Sequence, residues 1–359
     1  MSLTPNALPA HWPVLGVCGF QNSGKTSLLE AAIPHFVARG LRVAVVKADA
    51  HGIDVDRPGK DSDRLFRAGA TVALCGPEES LQRKHTPGKA PLAPLVQQHL
   101  RKHDLVLVEG HKSAPLSKVW LHTQAPQKVP HEARDILAQL PWQPLAERVA
   151  RLSAEVEALL ERAAAATPRY LGLLIGGASR RMGAPKHRLV MPDGRELLEH
   201  LVERFHEQAE AVVLLGNECV APSLAALPRL PDVLDAPRRG PLAGMLAALR
   251  FAPEARWSFA ACDQPALQAD GLAWLAAQQP AAGTWGVVAT CEEAVQPLPC
   301  LLDGRLCDEL ERLLRSDAGP RRLVEHEKVR AVELPPALHA QWQDVDTPQQ
   351  WQAYLRSLA

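Results

Sequence analysis

LLIGGASRRMGAPKHRL, residues 173–189, passes from an apolar run into a glycine-rich loop that ends in two kinds of positive charge. The run Tyr170 to Ile175 reads as a buried strand, and a loop of this composition after it predicts an α/β sheet with its ligand at the strand's carboxyl end. Leu174, near the end of the run, is a candidate nucleotide-binding residue with Gly176 and Gly177, which leave the backbone bare enough for phosphate oxygens to reach main-chain N–H groups. Arg181 and Lys186 add the charge that a polyphosphate needs. These residue types in this order point to a nucleoside triphosphate.

A second phosphate loop stands near the other end of the chain. VLGVCGFQNSGKTSLLE, residues 14–30, has Gly19, four residues, then Gly24-Lys25-Thr26, the Walker A spacing. Val14 to Cys18 reads as a buried strand and Ser27 onward as a helix, so the N–H groups of Gln21 to Lys25 converge on a phosphate at the helix N-terminus. The candidate binding residues are Gly19, Asn22, Ser23, Gly24, Lys25, Thr26 and Ser27, with Lys25 on the β/γ oxygens and the Thr26 hydroxyl on Mg²⁺. LVLVEGHK, residues 105–112, ends a strand with Glu109, a further candidate for the metal through water; the alternative is a carboxylate that merely ends a strand.

At 359 residues the chain predicts two domains. An apolar content of 47% supplies cores for both, and 40 acidic against 40 basic residues leave no electrostatic case for a nucleic-acid or membrane partner. Strands are expected at Arg42 to Lys47, Thr71 to Cys75 and residues 105–110, buried on both faces of a mainly parallel sheet. After prolines at 126, 130, 141 and 144 comes a helix with Val149, Leu152, Val156, Leu159 and Leu160 on one stripe, closing the first domain and leading to Pro168. A second α/β alternation runs through residues 211–216, 257–263 and 285–290. The seven scattered cysteines, without a CxxC pair, read as reduced core residues. No signal peptide or 18-residue apolar run stands out, which predicts a cytoplasmic protein.

The order Gly-Gly-x-Ser-x-Arg-Met-Gly-x-x-Lys resembles the signature of the molybdenum-cofactor guanylyltransferases. The run Asp54-Val55-Asp56-Arg57-Pro58-Gly59-Lys60-Asp61-Ser62 resembles the D-x-D-x-P-G-K-D-S motif of the molybdopterin guanine dinucleotide adaptor proteins, a likeness extending from residue 14 to about 122. In those relatives a His-rich stretch follows the strand lysine, whereas here Lys47 is followed by Ala-Asp-Ala-His-Gly with His51 alone. The resemblance implies two tandem three-layer α/β domains: residues 1–166, a P-loop NTPase-like GTP-binding adaptor with its closing helix and linker, and residues 167–359, a Rossmann-like nucleotidyltransferase.

For the second domain the resemblance implies further roles. Asp263, in Ala-Ala-Cys-Asp-Gln-Pro, holds Mg²⁺ between triphosphate and acceptor; Asp235 meets the nucleotide; Gly240 opens the Gly-Pro-Leu-Ala-Gly loop beside base and sugar; Asn217 hydrogen-bonds guanine or ribose. A terminal phosphate oxygen of molybdopterin attacks the α-phosphorus of GTP and pyrophosphate leaves, with Lys186, Arg181 and Asp263 as the catalytic set and no general base needed. Apo-molybdoenzymes or delivery chaperones are implied partners. Where GTP-using relatives have N-x-N-T-P, this chain has Asp344-Val345-Asp346-Thr347-Pro348, the form of cytidylyltransferases acting on the same acceptor. That pair is expected either to ligate a second metal ion or, through Asp346 and Thr347, to cap a helix from Pro348 to Leu358. Cytidylyl transfer, sugar-phosphate nucleotidyl transfer, and a nucleotide-dependent delivery protein with an inactive transferase domain are the alternatives.

Overall fold

A computed structural model describes residues 8–9, 11–47, 55–86, 88, 91–125, 127–176, 181–233, 240–278 and 282–358. They divide into two compact units, one within Met1–Ala38 and Arg42–Leu159, the other within Arg39–Leu41 and Leu160–Ala359. Among the described residues no helix is long and apolar enough to cross a membrane.

The first unit is built on its apolar runs. Strands β1 (Val14–Gly19), β2 (Val43–Lys47), β5 (Leu105–Glu109), β6 (Lys118–Leu121) and β7 (Ile136–Leu140) form a parallel sheet in the order β2-β5-β1-β6-β7. Helices α1 (Lys25–Ala38), α2 (Asp61–Arg67), α3 (Leu92–Leu100) and α4 (Leu145–Ala166) occur between and after the strands. Val14, Val106 and Val108 pack with Val96 of α3, while the alternating Leu15, Val17, Leu105 and Leu107 are equally buried, so both sheet faces are covered. The α4 stripe Val149, Leu152, Val156, Leu159 and Leu160 is buried at the spacing the sequence sets.

One expectation is corrected and one strand is added. The run from Thr71 is not a strand of the parallel sheet: β3 (Val72–Cys75) pairs antiparallel with β4 (Ser80–Arg83) in a separate hairpin, with Ala73, Leu74 and Cys75 exposed. The proline-rich stretch before α4 holds a strand that the sequence reading did not mark. It contains β7, the edge of the sheet, where prolines flank a strand without interrupting its ladder. The cysteines are free, but Cys18, Cys262 and Cys300 are buried whereas Cys75 and Cys219 are exposed.

The second unit has a seven-stranded mixed sheet of β8 (Arg169–Leu174), β9 (Ala211–Leu215), β10 (Arg229–Leu230), β11 (Arg256–Ala261), β12 (Gly286–Cys291), β13 (Ala294–Asp303) and β14 (Val329–Glu333), in the order β10-β9-β8-β11-β13-β12-β14. Only β13 runs antiparallel to its neighbours. Leu171, Leu173 and Ile175 face one core, shared with α5 (Leu197–Phe205), α7 (Ala269–Ala277) and α9 (Pro348–Ser357). Leu174 faces the other, shared with α6 (Pro241–Phe251) and α8 (Cys307–Arg315), which completes three layers. From β8 the chain first winds outward through β9 and β10, then returns to β11 on the other side. The strand order therefore reverses between β8 and β11, where open α/β sheets hold ligands.

Candidate functional site

In the first unit, backbone geometry makes the loop. Gly24 sits at φ +81° and Asn22 at φ 60°, left-handed conformations that suit Gly and Asn, and a Cβ on Gly19 would lie 2.6 Å from the Leu121 carbonyl oxygen. The α1 ladder begins at once, with Leu28 N donating to Gly24 O at 2.9 Å. Strand register sets Glu109 beside both Val17 and Lys47. Thr26 Oγ1 donates to Glu109 Oε1 at 2.9 Å, and Lys47 Nζ lies 3.8 Å from the same oxygen. Lys25 Nζ folds onto the loop, donating to Phe20 O at 2.8 Å and Gly19 O at 3.3 Å. Burial holds its pKa below the ordinary lysine value against the opposing charge of Glu109. Ser27 is exposed on the first turn of α1.

A residue that sequence reading missed braces this loop. Arg148, on α4 and 3% exposed, donates from Nη2 to Ser23 O at 2.9 Å. Burial pulls its pKa below the usual arginine range. The only trace in the sequence is an arginine at a buried position of the α4 stripe's turn. Arg148→Met should weaken nucleotide binding by this unit about tenfold, the worth of one charge-assisted hydrogen bond ordering the loop. Calorimetric titration of a non-hydrolysable nucleotide checks it, and unchanged affinity would remove Arg148 from the loop's machinery.

The acidic motif of residues 54–62 is used internally. Asp56 accepts from Ser62 Oγ at 2.8 Å and from Arg83 Nη1 at 2.6 Å, and Arg83 also reaches Asp63 at 3.3 Å. Asp54 and His51 lie outside the described residues.

In the second unit the switch point gathers charge from three distant segments. Lys186, on a 3₁₀ turn after Pro185, donates from Nζ to Asp346 Oδ1 at 2.5 Å and to Asp263 Oδ2 at 3.2 Å. Arg181 Nη1 lies 3.6 Å from Asp346 Oδ2. Burial alone would lower Lys186, but the hydrogen bonds and charges of Asp346 and Asp263 hold it above the ordinary lysine value. The hydrogen bond from Lys186 in turn lowers Asp346. Asp344 is pushed up to about 6, first by desolvation of its carboxyl and then by the charge of Asp263, against a hydrogen bond from Gln264.

Asp263 is positioned by its own main chain. Cys262 N donates to Leu174 O at 3.2 Å, tying the end of β11 to β8, and Val345 N donates to Asp263 O at 2.7 Å. The following turn is clamped: Arg204 Nη1 donates to Pro265 O at 2.8 Å and Leu267 O at 2.6 Å, and Tyr354 Oη to Pro265 O at 2.9 Å. Leu174 is buried in the core with its carbonyl engaged, so its side chain is not part of the open site. A Cβ on Gly176 would stand in open space, with nothing within 4 Å, whereas one on Gly244 would lie 2.9 Å from Leu174 Cδ2, so that glycine lets α6 approach the sheet. Asn217 is exposed just after β9, and Gly240 caps α6. Gly177 and Asp235 lie outside the described residues. Of the two expectations for residues 344–348, the cap falls to Thr347, whose side chain accepts from Gln350 N, while Asp346 turns to Lys186.

Both sites fit a hard divalent cation by donor chemistry: a hydroxyl and a carboxylate at Thr26 and Glu109, carboxylates at Asp263 and its neighbours. Among the described residues no three His, Cys, Asp or Glu side chains converge into a complete cage. Such sites suit an ion whose shell is completed by phosphate oxygens and water.

Residues 14–141 match the family described as molybdopterin guanine dinucleotide synthesis protein B, and residues 172–332 match the MobA-like NTP transferase domain. The chain is similar to the molybdopterin-guanine dinucleotide biosynthesis adapter protein of Haemophilus influenzae, 46% identical over 114 residues, 31% of this chain and 64% of that protein's length. The corresponding Escherichia coli adapter protein is 34% identical over 124 residues, 33% of this chain and 71% of its own. A probable molybdenum cofactor guanylyltransferase of Rhodopirellula baltica is 34% identical over 164 residues, 43% of this chain and 77% of that protein.

Proposed function

We propose, since the chain belongs to the molybdopterin-guanine dinucleotide biosynthesis adapter family through residues 14–141 and to the molybdenum cofactor guanylyltransferase family through residues 172–332, that it makes molybdopterin guanine dinucleotide. Residues 167–359 form the transferase domain, and residues 1–166 form a GTP-binding adapter domain on the same chain. The observation that carries the reading is the meeting of Lys186, Asp263 and Asp346 at the switch point, with Arg181 at its rim.

A phosphate oxygen of molybdopterin forms a bond to the α-phosphorus of GTP, the bond to the bridging oxygen breaks, and pyrophosphate leaves with that electron pair. The attacking oxygen is already anionic, so the chain's residues need only neutralise charge and hold the reactants in line. Lys186 is the centre of that work. Its two carboxylate partners fix the ammonium where the polyphosphate arrives, and the incoming oxygens replace Asp346 as its partner. Arg181, largely exposed, closes on the outer phosphates. Mg²⁺ would be held by Asp263 in this domain and by Thr26, with Glu109 behind it, in the other, supplying neutralisation of triphosphate charge. Gly177 and Asp235 complete the nucleotide contacts in this reading. Apo-molybdoenzymes or delivery chaperones as recipients, and a cytoplasmic location, belong to the same reading.

Cytidylyl transfer is the competing reading, favoured only by Asp344 and Asp346, and base choice separates the two. Guanine offers O6 as acceptor and N1–H and N2–H₂ as donors to Asn217 and the Gly240–Gly244 backbone. Cytosine would leave those groups unpaired at about 1–3 kcal/mol each. Incubation with molybdopterin, Mg²⁺ and each of the four nucleoside triphosphates should give GTP at least a tenfold advantage over CTP in kcat/KM. The ratio should persist when Asp344 and Asp346 are both replaced by asparagine, because Asp346 engages Lys186 and not the base site. A preference for CTP overturns the guanylyl assignment.

A further inference from the structure

At the opposite end of the same sheet from Asp263 lies a cavity of about 380 Å³, bounded by α7, the first residues of β8 and β11, and Leu301 near the end of the antiparallel β13. From Arg256 to Asp263 the chain runs roughly 20 Å along the strand direction, so this space is separate from the switch point. Its size falls within the range of small-molecule pockets.

The lining is chemically divided. Leu171, Leu272 and Ala276 give it an apolar wall, and Arg169, Arg256 and Ser258 give it a polar one. Strand register explains the polar side: Arg169 and Arg256 are direct partners in the parallel pairing of β8 with β11, so both side chains leave the same face. Leu171 and Ser258 follow two residues later on that face, as the period of a strand requires.

Arg169 is exposed, so water screens its charge, while Arg256 beside it is half-buried and carries the less favourable position. Neither has a carboxylate at ion-pair distance, and Arg256 Nε is enclosed without a hydrogen-bond partner. The carboxylate that acts on Arg256 from farther off, Asp303, is already gripped by Arg305 through Nε at 2.9 Å and Nη2 at 2.8 Å. Burial pulls Arg256 below the usual arginine range; Asp303 opposes this, while Arg305 and Arg169 add to it. A buried unsatisfied donor beside a like charge is costly, and an oxyanion accepting from both guanidinium groups would remove that cost.

We propose that this cavity binds a small organic oxyanion, a phosphate or carboxylate carried on a compact apolar body, with Arg169 and Arg256 on the anion and Leu171 and Leu272 on the body. The proposal goes beyond the transferase reading and stands or falls without it.

Its test is calorimetric titration of the full-length chain carrying Lys25→Ala and Lys186→Ala, so that the two phosphate loops do not compete. The probes are phenyl phosphate, benzoate, inorganic phosphate and, as a neutral control, cyclohexanol. Phenyl phosphate or benzoate should bind with one-to-one stoichiometry, at least tenfold more tightly than inorganic phosphate, and cyclohexanol should not bind. Arg256→Met and Arg169→Met should each weaken binding tenfold or more. Arg256→Lys, which keeps the charge but loses the second donor, should also weaken it. In anion-free buffer Arg256→Met should leave Tm unchanged or raise it, because it removes an unpaired buried charge. The proposal is overturned by any of these: no binding of either organic probe, equal binding of inorganic phosphate, undiminished binding in the arginine variants, or a lower Tm of Arg256→Met without anion.

Discussion

Asp263→Asn lowers guanylyl transfer by about 10²-fold or more while the purified chain keeps its fold. The fold survives because little of the local structure depends on the charge. Asparagine keeps the volume and one oxygen for Lys186, 3.2 Å away, and Asp346, at 2.5 Å, still neutralises the ammonium, so no buried charge is left alone. The main-chain bond from Val345 N at 2.7 Å and the Arg204 clamp on the next turn are untouched. What disappears is the negative charge that would bind the cation at the reacting phosphates, which a neutral amide replaces poorly. Dinucleotide formed per enzyme, measured beside circular dichroism of the same sample, decides the matter. A folded Asp263→Asn protein that transfers guanylate at the parent rate would remove Asp263 from the chemistry. Lys186→Ala is expected to differ: it leaves Asp263 and Asp346 without their shared cation, so it should lower stability as well as GTP affinity.

What the sequence made legible was whatever is local. The continuous apolar run 105–108, closed by Glu109, reads as a strand buried on both faces, and the two glycine loops carry their chemistry in consecutive residues. Short apolar runs were less informative. Thr71 to Cys75 has the composition of a sheet strand, but five residues cannot reveal whether their partner is a buried parallel neighbour or the next hairpin arm. Ile136–Leu140 was hidden by the opposite signal, prolines on either side, although a strand at a sheet edge tolerates prolines at its ends. The deepest omissions were long-range. Lys186 and Asp346 are 160 residues apart in the chain, and Arg148 is 125 residues from the carbonyl it holds, so neither pairing had a spacing to betray it. Asp346 looked like a metal ligand or a cap because those are the roles its neighbours in sequence suggest; its partner came from another segment. The apposition of Arg169 and Arg256 belongs to the same class, since it follows from strand register alone.

Lys25→Ala should abolish nucleotide binding by the first unit, weakening it about 10²-fold, without lowering guanylyl transfer. Lys25 Nζ now spends its hydrogen bonds on Phe20 O and Gly19 O, the loop's own carbonyls, at 2.8 and 3.3 Å. These are the groups a β/γ-phosphate would displace. Two charge-assisted bonds to phosphate at about 1.5–3 kcal/mol each account for a loss of that size. Stability should hardly change, because alanine is a good helix former at the first residue of α1 and the Thr26–Glu109 bond at 2.9 Å remains to tie the loop to β5. Equilibrium binding of labelled GTP to the whole chain should therefore fall from two sites to one, while dinucleotide formation stays within twofold of the parent. Asp263→Asn should do the reverse, leaving the first site occupied and removing transfer. Each variant controls for the other: general damage to the chain would depress both readouts together. Loss of transfer in a folded Lys25→Ala protein would sink the assignment of catalysis to residues 167–359 alone, because that assignment rests on Lys186, Asp263 and Asp346 as one another's partners.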